Sequence, residues 1–269
     1  MKPYFETELG KLYHGDCLTI MPMLEPVDLV LTSPPYDNLR DYEGYTFDFE
    51  KVANGLYSII NKGGVVVWVV GDATVKGSET GTSFKQALYF KEIGFNLHDT
   101  MIFQKANVPV YDPRNKRYKS AFEYMFILSK GAVATYNPIS DTPTKKKSSR
   151  GVTKRNPNGS MREPKDVNFK KFRDRDNVWV YPNGYMQTTK DRVAFQHPAI
   201  MSEFLAQDHI ISWSNEGETV ADIMAGSGTT LKMAEKLNRR WIGIEIEEKY
   251  CEIAAKRIEK ENQQLKLFA

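Results

Sequence analysis

The chain has 269 residues, 41% hydrophobic and 12% aromatic, which suits one large domain or a domain carrying an insert. No apolar run approaches the ~20 residues that span a bilayer, and the start Met1-Lys2-Pro3-Tyr4-Phe5-Glu6 lacks the basic-then-apolar build of a secretory signal, so membrane and secreted classes are excluded as expectations. The net charge of +3 hides an asymmetry: residues 105–192 carry 20 Lys and Arg against 8 Asp and Glu, the remainder 17 against 26, which predicts a polyanion-binding segment within an acidic domain.

In chain order, residues 12–23 hold a turn, His14-Gly15-Asp16-Cys17-Leu18, with an acid at its tip. Residues 27–31 read as a strand that Pro34-Pro35 cannot continue. Phe49, Val52, Leu56, Ile59 and Ile60 have helical spacing, and Asn61-Lys62-Gly63-Gly64 is expected to stop that helix. Residues 65–70 (VVVWVV) are apolar on both faces, as in a central strand covered by helices. Residues 83–93 predict a helix closed by Gly94. Residues 100–104 and 124–128 predict an antiparallel strand pair. From about residue 131 to 177 the periodicity fails, and residues 144–175 are too poor in aliphatics to order themselves without a partner. Residues 178–181 return to a strand-like segment.

His197-Pro198 is expected to open a helix with Pro at its first position, its apolar face being Ile200, Met201, Phe204, Leu205 and Ile211. Residues 220–223 read as a strand, 229–237 as a helix and 241–244 as a strand ending at Glu245. Tyr250, Ile253, Ala254 and Ile258 mark a final helix. Strand and helix alternate in both halves, which predicts an α/β fold with a doubly wound, mainly parallel sheet, an antiparallel strand pair and a small irregular insert. Only Cys17 and Cys251 are present, so a reducing cytoplasm is expected, with no disulfide framework and no metal site.

Two loops carry the chemistry. Asp222-Ile223-Met224-Ala225-Gly226-Ser227-Gly228-Thr229-Thr230 joins a strand to a helix, where glycines admit a ligand to the backbone and a helix N-terminus offers free N–H groups. Glu245 ends the next strand, a spacing at which an acid accepts hydrogen bonds from ribose hydroxyls. A dinucleotide fingerprint wants a third Gly where Leu231 stands, and a phosphate loop wants Lys after its last Gly, where Thr229 stands. Asp222 would repel a pyrophosphate and favour a cation. S-adenosylmethionine, with its ammonium and sulfonium, fits better than NAD or ATP.

The second loop is Thr32-Ser33-Pro34-Pro35-Tyr36. Its prolines fix the backbone and donate no N–H, so carbonyls stand as acceptors on a stiff frame beside the Ser33 hydroxyl and the Tyr36 ring. Such a frame suits a planar, amine-bearing base. Both loops follow strands, and ligands of open α/β sheets bind at the carboxyl ends of strands, so the two are expected to meet.

Together, Thr32 to Tyr36, Asp222 to Thr230, Gly243-Ile244-Glu245 and His197-Pro198 resemble the β class of DNA amino-methyltransferases of bacterial and phage modification systems, in which the tetrapeptide precedes the target-recognition insert and the cofactor half. The resemblance implies a Rossmann-like S-adenosylmethionine-dependent methyltransferase fold. It implies a catalytic half at residues 1–134, a basic insert at 135–190 and a cofactor half at 191–269. It also implies that Asp222, Ala225, Gly226, Ser227, Gly228 and Thr229 surround the methionine part of S-adenosylmethionine and Glu245 the ribose. Asp16 would lie near the adenine, and His197 and Ser202 would line the pocket. Ser33 and the Pro34 carbonyl would bind the amine, with Pro35 stiffening the loop and Tyr36 stacking on a flipped base. Met224 departs from the usual Phe. Lys145, Lys146, Lys147, Arg150, Lys154 and Arg155 are the expected contacts to double-stranded DNA. The tetrapeptide favours cytosine N4 over adenine N6; an RNA or protein methyltransferase is a more distant alternative that the motif order disfavours. A homodimer and a cognate restriction endonuclease are further expected partners.

Overall fold

The computed structural model describes residues 1–35, 47–108, 116–144, 148–149, 154–162, 167–168 and 170–268. The chain divides into two compact units, residues 1–137 with 177–269, and residues 138–176.

The larger unit is built on a nine-stranded sheet. Its strands are β1 (Phe5–Glu6), β2 (Gly10–His14), β3 (Val27–Thr32), β4 (Ile60–Val70), β5 (Asn96–Lys105), β6 (Phe122–Ser129), β7 (Val178–Tyr181), β8 (Thr219–Asp222) and β9 (Arg240–Glu245). They lie side by side in the order β1-β2-β9-β8-β3-β4-β6-β5-β7. From β2 to β4 every pairing is parallel. β6 pairs antiparallel with both β4 and β5, which is the expected antiparallel pair, and β7 closes the edge parallel to β5.

The decisive feature is an interleaving. β8 and β9, from the last third of the chain, insert between β2 and β3 from its start, with Glu245 opposite His14 and Ala221 opposite Val30. The carboxyl ends of β2, β9, β8 and β3 therefore stand in one row. Val65 to Val70 is buried throughout, as a strand covered on both faces must be. Helix α1 (Phe49–Ile59) packs Val52, Ala53 and Leu56 into that core, and Trp68 stands among Phe47, Phe49 and Phe90 with its indole N–H on Gln86. Helix α2 is Thr82–Glu92, turned off by Gly94 at φ +112°.

α1 ends at Ile59, immediately before Asn61 to Gly64 as expected, and the chain enters β4 at Ile60, with Asn61 donating to Asp28 at 2.8 Å. Two expectations need correction. His197-Pro198 does not open a helix. His197 closes a short 3-10 turn (Arg192–Gln196), and helix α3 (Glu203–Trp213) begins only after Ser202. The missing N–H of Pro198 suits non-helical chain as well as a first helical turn. Phe204 is consequently exposed, while Leu205, Ala206 and Ile210 face the core. Nor is the insert wholly irregular. Among the described residues of 138–176 there are three nested antiparallel ladders, Thr142–Pro143 with Phe172–Arg173, Ser148–Ser149 with Val167–Asn168, and Lys154–Arg155 with Met161–Arg162. None of its described side chains is buried, and backbone pairing and ion pairs such as Arg175 with Asp141 link its segments. Helices α4 (Thr229–Lys236) and α5 (Glu248–Phe268) complete the larger unit. Among the described residues no helix is long and apolar enough to cross a membrane, and no group of three His, Cys, Asp or Glu side chains could hold a metal ion.

Candidate active site

A cavity of about 980 Å³ opens along the row of strand ends. That is near the upper end of the about 300–1,000 Å³ typical of ligand pockets. Asp16 follows β2, Glu245 ends β9, Asp222 ends β8 and Ser33-Pro34-Pro35 follows β3, and all of them line it. Ala225, Gly226, Ser227, Thr229, His197 and Ser202 line it too. Gly228 does not. At φ +76° it carries the loop past α5 so closely that an added Cβ would stand 2.6 Å from Ala254 Cβ. Tyr36 lies outside the described residues.

The two loops are joined directly. Thr32 Oγ1, one residue before Ser33, donates to Asp222 Oδ1 at 2.8 Å, and the Met224 N–H donates to the same oxygen at 3.2 Å. Asp222 is buried, and burial pushes its carboxyl up to about 6. Glu245 is buried as well and accepts the Gly226 N–H at 2.7 Å and the Glu247 N–H at 2.9 Å. Burial first, and then the charge of Asp222, holds its carboxyl above the usual carboxylate range. Two buried acids side by side form a site for a cationic, hydroxyl-bearing ligand. At Gly226, φ +51°, an added Cβ would come 2.9 Å from His197 Nε2, so the absence of a side chain keeps the imidazole against the loop. That imidazole packs edge-on against Tyr250, ring centroids 4.3 Å apart.

Ser202 gives a second, independent sign of a ligand. It occupies the N-cap position of α3, where a serine hydroxyl ordinarily accepts a backbone N–H of the first turn, yet it makes no such bond. Its Oγ is the buried side-chain polar atom that lacks a hydrogen-bond partner among the described residues. An unmatched buried hydroxyl costs about 1–3 kcal/mol, and this one lines the cavity. The donor set therefore fits S-adenosylmethionine: acids for an ammonium and for ribose hydroxyls, and a spare hydroxyl for a carboxylate. Met224, half-buried, also borders the space.

Sequence reading missed the far end of the cavity. Lys105 and Glu123 pair there at 2.8 Å, near the facing ends of β5 and β6, with Phe103, Asn183 and Tyr185 alongside. No local motif marks them, because antiparallel register alone makes them neighbours. Cys17 borders the cavity too, but burial pushes its thiol up to about 12, so it is no nucleophile at neutral pH. Of the expected DNA contacts, Lys145, Lys146, Lys147 and Arg150 lie outside the described residues. Lys154 and Arg155 form one side of the innermost ladder of the insert, with Arg155 exposed.

Residues 27–256 match the family profile of N6/N4 methyltransferases, described as DNA methylase. The orphan methyltransferase M.BamHII of Bacillus amyloliquefaciens is 52% identical over 248 residues, covering 91% of this chain and 90% of that protein. Among solved structures, the cytosine-N4-specific PvuII DNA methyltransferase superposes with a TM-score of 0.69 at 20% identity, over 97% of this chain and 93% of that one. The complex of M1.HpyAVI with SAM gives 0.63 at 19%, over 93% and 98%. At these identities the two structures establish likeness of fold.

Proposed function

This chain belongs to the N6/N4 DNA methylase family, and from that premise we propose that it methylates an exocyclic amine in double-stranded DNA, at cytosine N4 in preference to adenine N6, using S-adenosylmethionine. One observation carries the reading. The Ser33-Pro34-Pro35 loop and the Asp222 loop, nearly 200 residues apart in sequence, are tied by the buried Thr32–Asp222 hydrogen bond and line one cavity.

S-adenosylmethionine supplies, when bound, an electrophilic methyl group. Asp222 neutralises its ammonium, Glu245 accepts from its ribose hydroxyls, Ser202 donates to its carboxylate, and Asp16 and His197 border it. Ser33 Oγ and the Pro34 carbonyl accept the two amine hydrogens. These bonds favour the tetrahedral nitrogen, whose lone pair is released from the ring, over the planar one. Positioning and electrostatics thus supply most of the barrier reduction. The target base leaves the duplex at a cost of a few kcal/mol, and Tyr36 stacks on it. Residues 135–190 supply phosphate contacts and groove readout. A cytoplasmic location, a homodimer and a cognate restriction endonuclease belong to the same reading. Support for cytosine N4 comes from Ser33 at the first position of the tetrapeptide.

The test is transfer of labelled methyl from S-adenosylmethionine to unmethylated genomic DNA, followed by nucleoside mass spectrometry. N4-methylcytosine is the expected product, and N6-methyladenine would reverse the choice of base. Transfer to RNA or protein with none to DNA would sink the reading of the insert. DNA affinity should also fall steeply with ionic strength. Neutralising Lys145, Lys146 and Lys147 together should flatten the plot of log affinity against log salt by about 2 to 3 units. An unchanged slope assigns those lysines elsewhere.

A further inference from the structure

Behind the Gly226–Thr229 loop lies an ion network that no motif announces. Arg257, on α5, is 1% exposed. Its Nη1 donates to the Ser227 carbonyl at 2.6 Å, to Ser227 Oγ at 3.1 Å and to Thr229 Oγ1 at 3.0 Å. Its Nε reaches Asp191 at 3.2 Å and its Nη2 reaches Glu203 at 2.8 Å. Lys232 bonds the same two acids, at 2.7 and 2.8 Å, and Lys260 bonds Asp191 at 2.9 Å. Three cations on one nearly buried carboxylate are costly to desolvate, and such clusters are weak evidence for stability in themselves. In these contacts Arg257 is the cation that reaches the loop; Lys232 and Lys260 reach only acids.

The loop needs such a hold. Gly226 and Gly228 sit at positive φ, and glycine loses more conformational freedom on ordering than any other residue. Glu245 fixes the loop at Gly226, and the Gly228 N–H closes on the Ala225 carbonyl at 2.8 Å. Between them, the Ser227 carbonyl is aimed at Arg257, and so are the Ser227 and Thr229 hydroxyls.

We propose that Arg257 is a positioning residue: its guanidinium fork, clamped by Asp191 and Glu203, sets the loop in the shape that receives the methionine part of S-adenosylmethionine. This rests on the cofactor reading above. A lysine keeps the charge but cannot reproduce the fork.

The test compares two ligands by calorimetry, S-adenosylmethionine and adenosine, which lacks the methionine part, with a melting curve for each protein. Arg257→Lys should weaken S-adenosylmethionine about tenfold or more, the scale of one lost charged hydrogen bond, and adenosine less than twofold. Lys260→Met, which removes a cation from the same acid without touching the loop, should leave the ratio of the two affinities unchanged. Equal weakening of both ligands by Arg257→Lys, or no weakening of either, overturns the proposal; so does a shift of the ratio by Lys260→Met as large as that of Arg257→Lys. If Arg257→Lys does not fold, Thr229→Val, which deletes one of the loop's acceptors, carries the same comparison and should shift the ratio in the same direction. Wild-type protein that binds neither ligand overturns the cofactor reading, and this proposal with it.

Discussion

Asp222→Ala should weaken S-adenosylmethionine binding by about a hundredfold or more and lower the melting temperature as well. The side chain does two things at once. It is the buried acid at the end of β8 that would face the ligand's ammonium, and its Oδ1 satisfies both the Thr32 hydroxyl and the Met224 N–H. Truncation strands both donors, each at about 1–3 kcal/mol. Asp222→Asn separates the two effects, since it keeps an acceptor for Thr32 and Met224 and removes the charge. Calorimetry on the pair reads the charge from Asn and the packing from the difference. Binding by Asp222→Asn within threefold of wild type would remove Asp222 from the cation site.

The sign of the pH dependence follows from the raised carboxyl. Asp222 titrates near 3.8 when unfolded and about 6 when folded. The folded state therefore binds the proton more tightly, and the stability this group contributes is present at low pH and lost as pH rises through about 6. The ionised, buried form costs the unliganded protein roughly 3 kcal/mol at neutral pH, by the value of 1.36 kcal/mol per pKa unit. A cationic ligand offsets that cost, and only the ionised form attracts it. Affinity for S-adenosylmethionine should thus level off near pH 7 and fall by about tenfold per unit well below pH 6. Glu245, raised by its own burial and by Asp222, steepens the fall. Asp222→Asn should flatten the profile and raise the melting temperature of the unliganded protein above pH 6. A profile that Asp222→Asn leaves unchanged assigns the titration to another group.

How much of this was legible in the sequence depends on whether the cause is local. The strand before Ser33, the Gly226–Gly228 loop and the acid at Glu245 announce themselves through hydrophobic runs ended by turn residues. The central strand reads from its two-sided apolar run. The insertion of β8 and β9 between β2 and β3 does not, because strand order follows from long-range pairing such as Ala221 with Val30. Yet that order gathers Asp16, Glu245, Asp222 and Ser33. The start of α3 was misread since a Pro after His197 serves extended chain as well as a first helical turn. Arg257 is the clearest case. On a helical wheel it is one more charge in a polar helix, and its burial is caused by Asp191, Glu203 and Ser227 arriving from three other places in the chain.

Ser33→Ala should lower the rate of methyl transfer at saturating cofactor and DNA by about 10²–10³-fold, the loss seen when one hydrogen bond aimed at developing charge is removed, while S-adenosylmethionine affinity stays within twofold. The split follows from where Ser33 stands. It lines the cavity with Pro34 and Pro35, one residue beyond Thr32, whose side chain ties this loop to Asp222. The cofactor half is held by Asp222, Glu245 and the loop on α4, through the Thr32 hydroxyl and the Gly226, Met224 and Glu247 N–H groups. The amine hydrogens become more acidic as the nitrogen takes on positive charge in bonding to the methyl carbon, so an acceptor at Ser33 strengthens on the way to the transition state and contributes little to ground-state binding. Single-turnover rates on a methylatable duplex, with calorimetry on the same protein, separate the two quantities. A rate within threefold of wild type would leave the Pro34 carbonyl to activate the amine alone; a parallel loss of cofactor affinity would mean that Ser33 shapes the cavity and does not act on the amine.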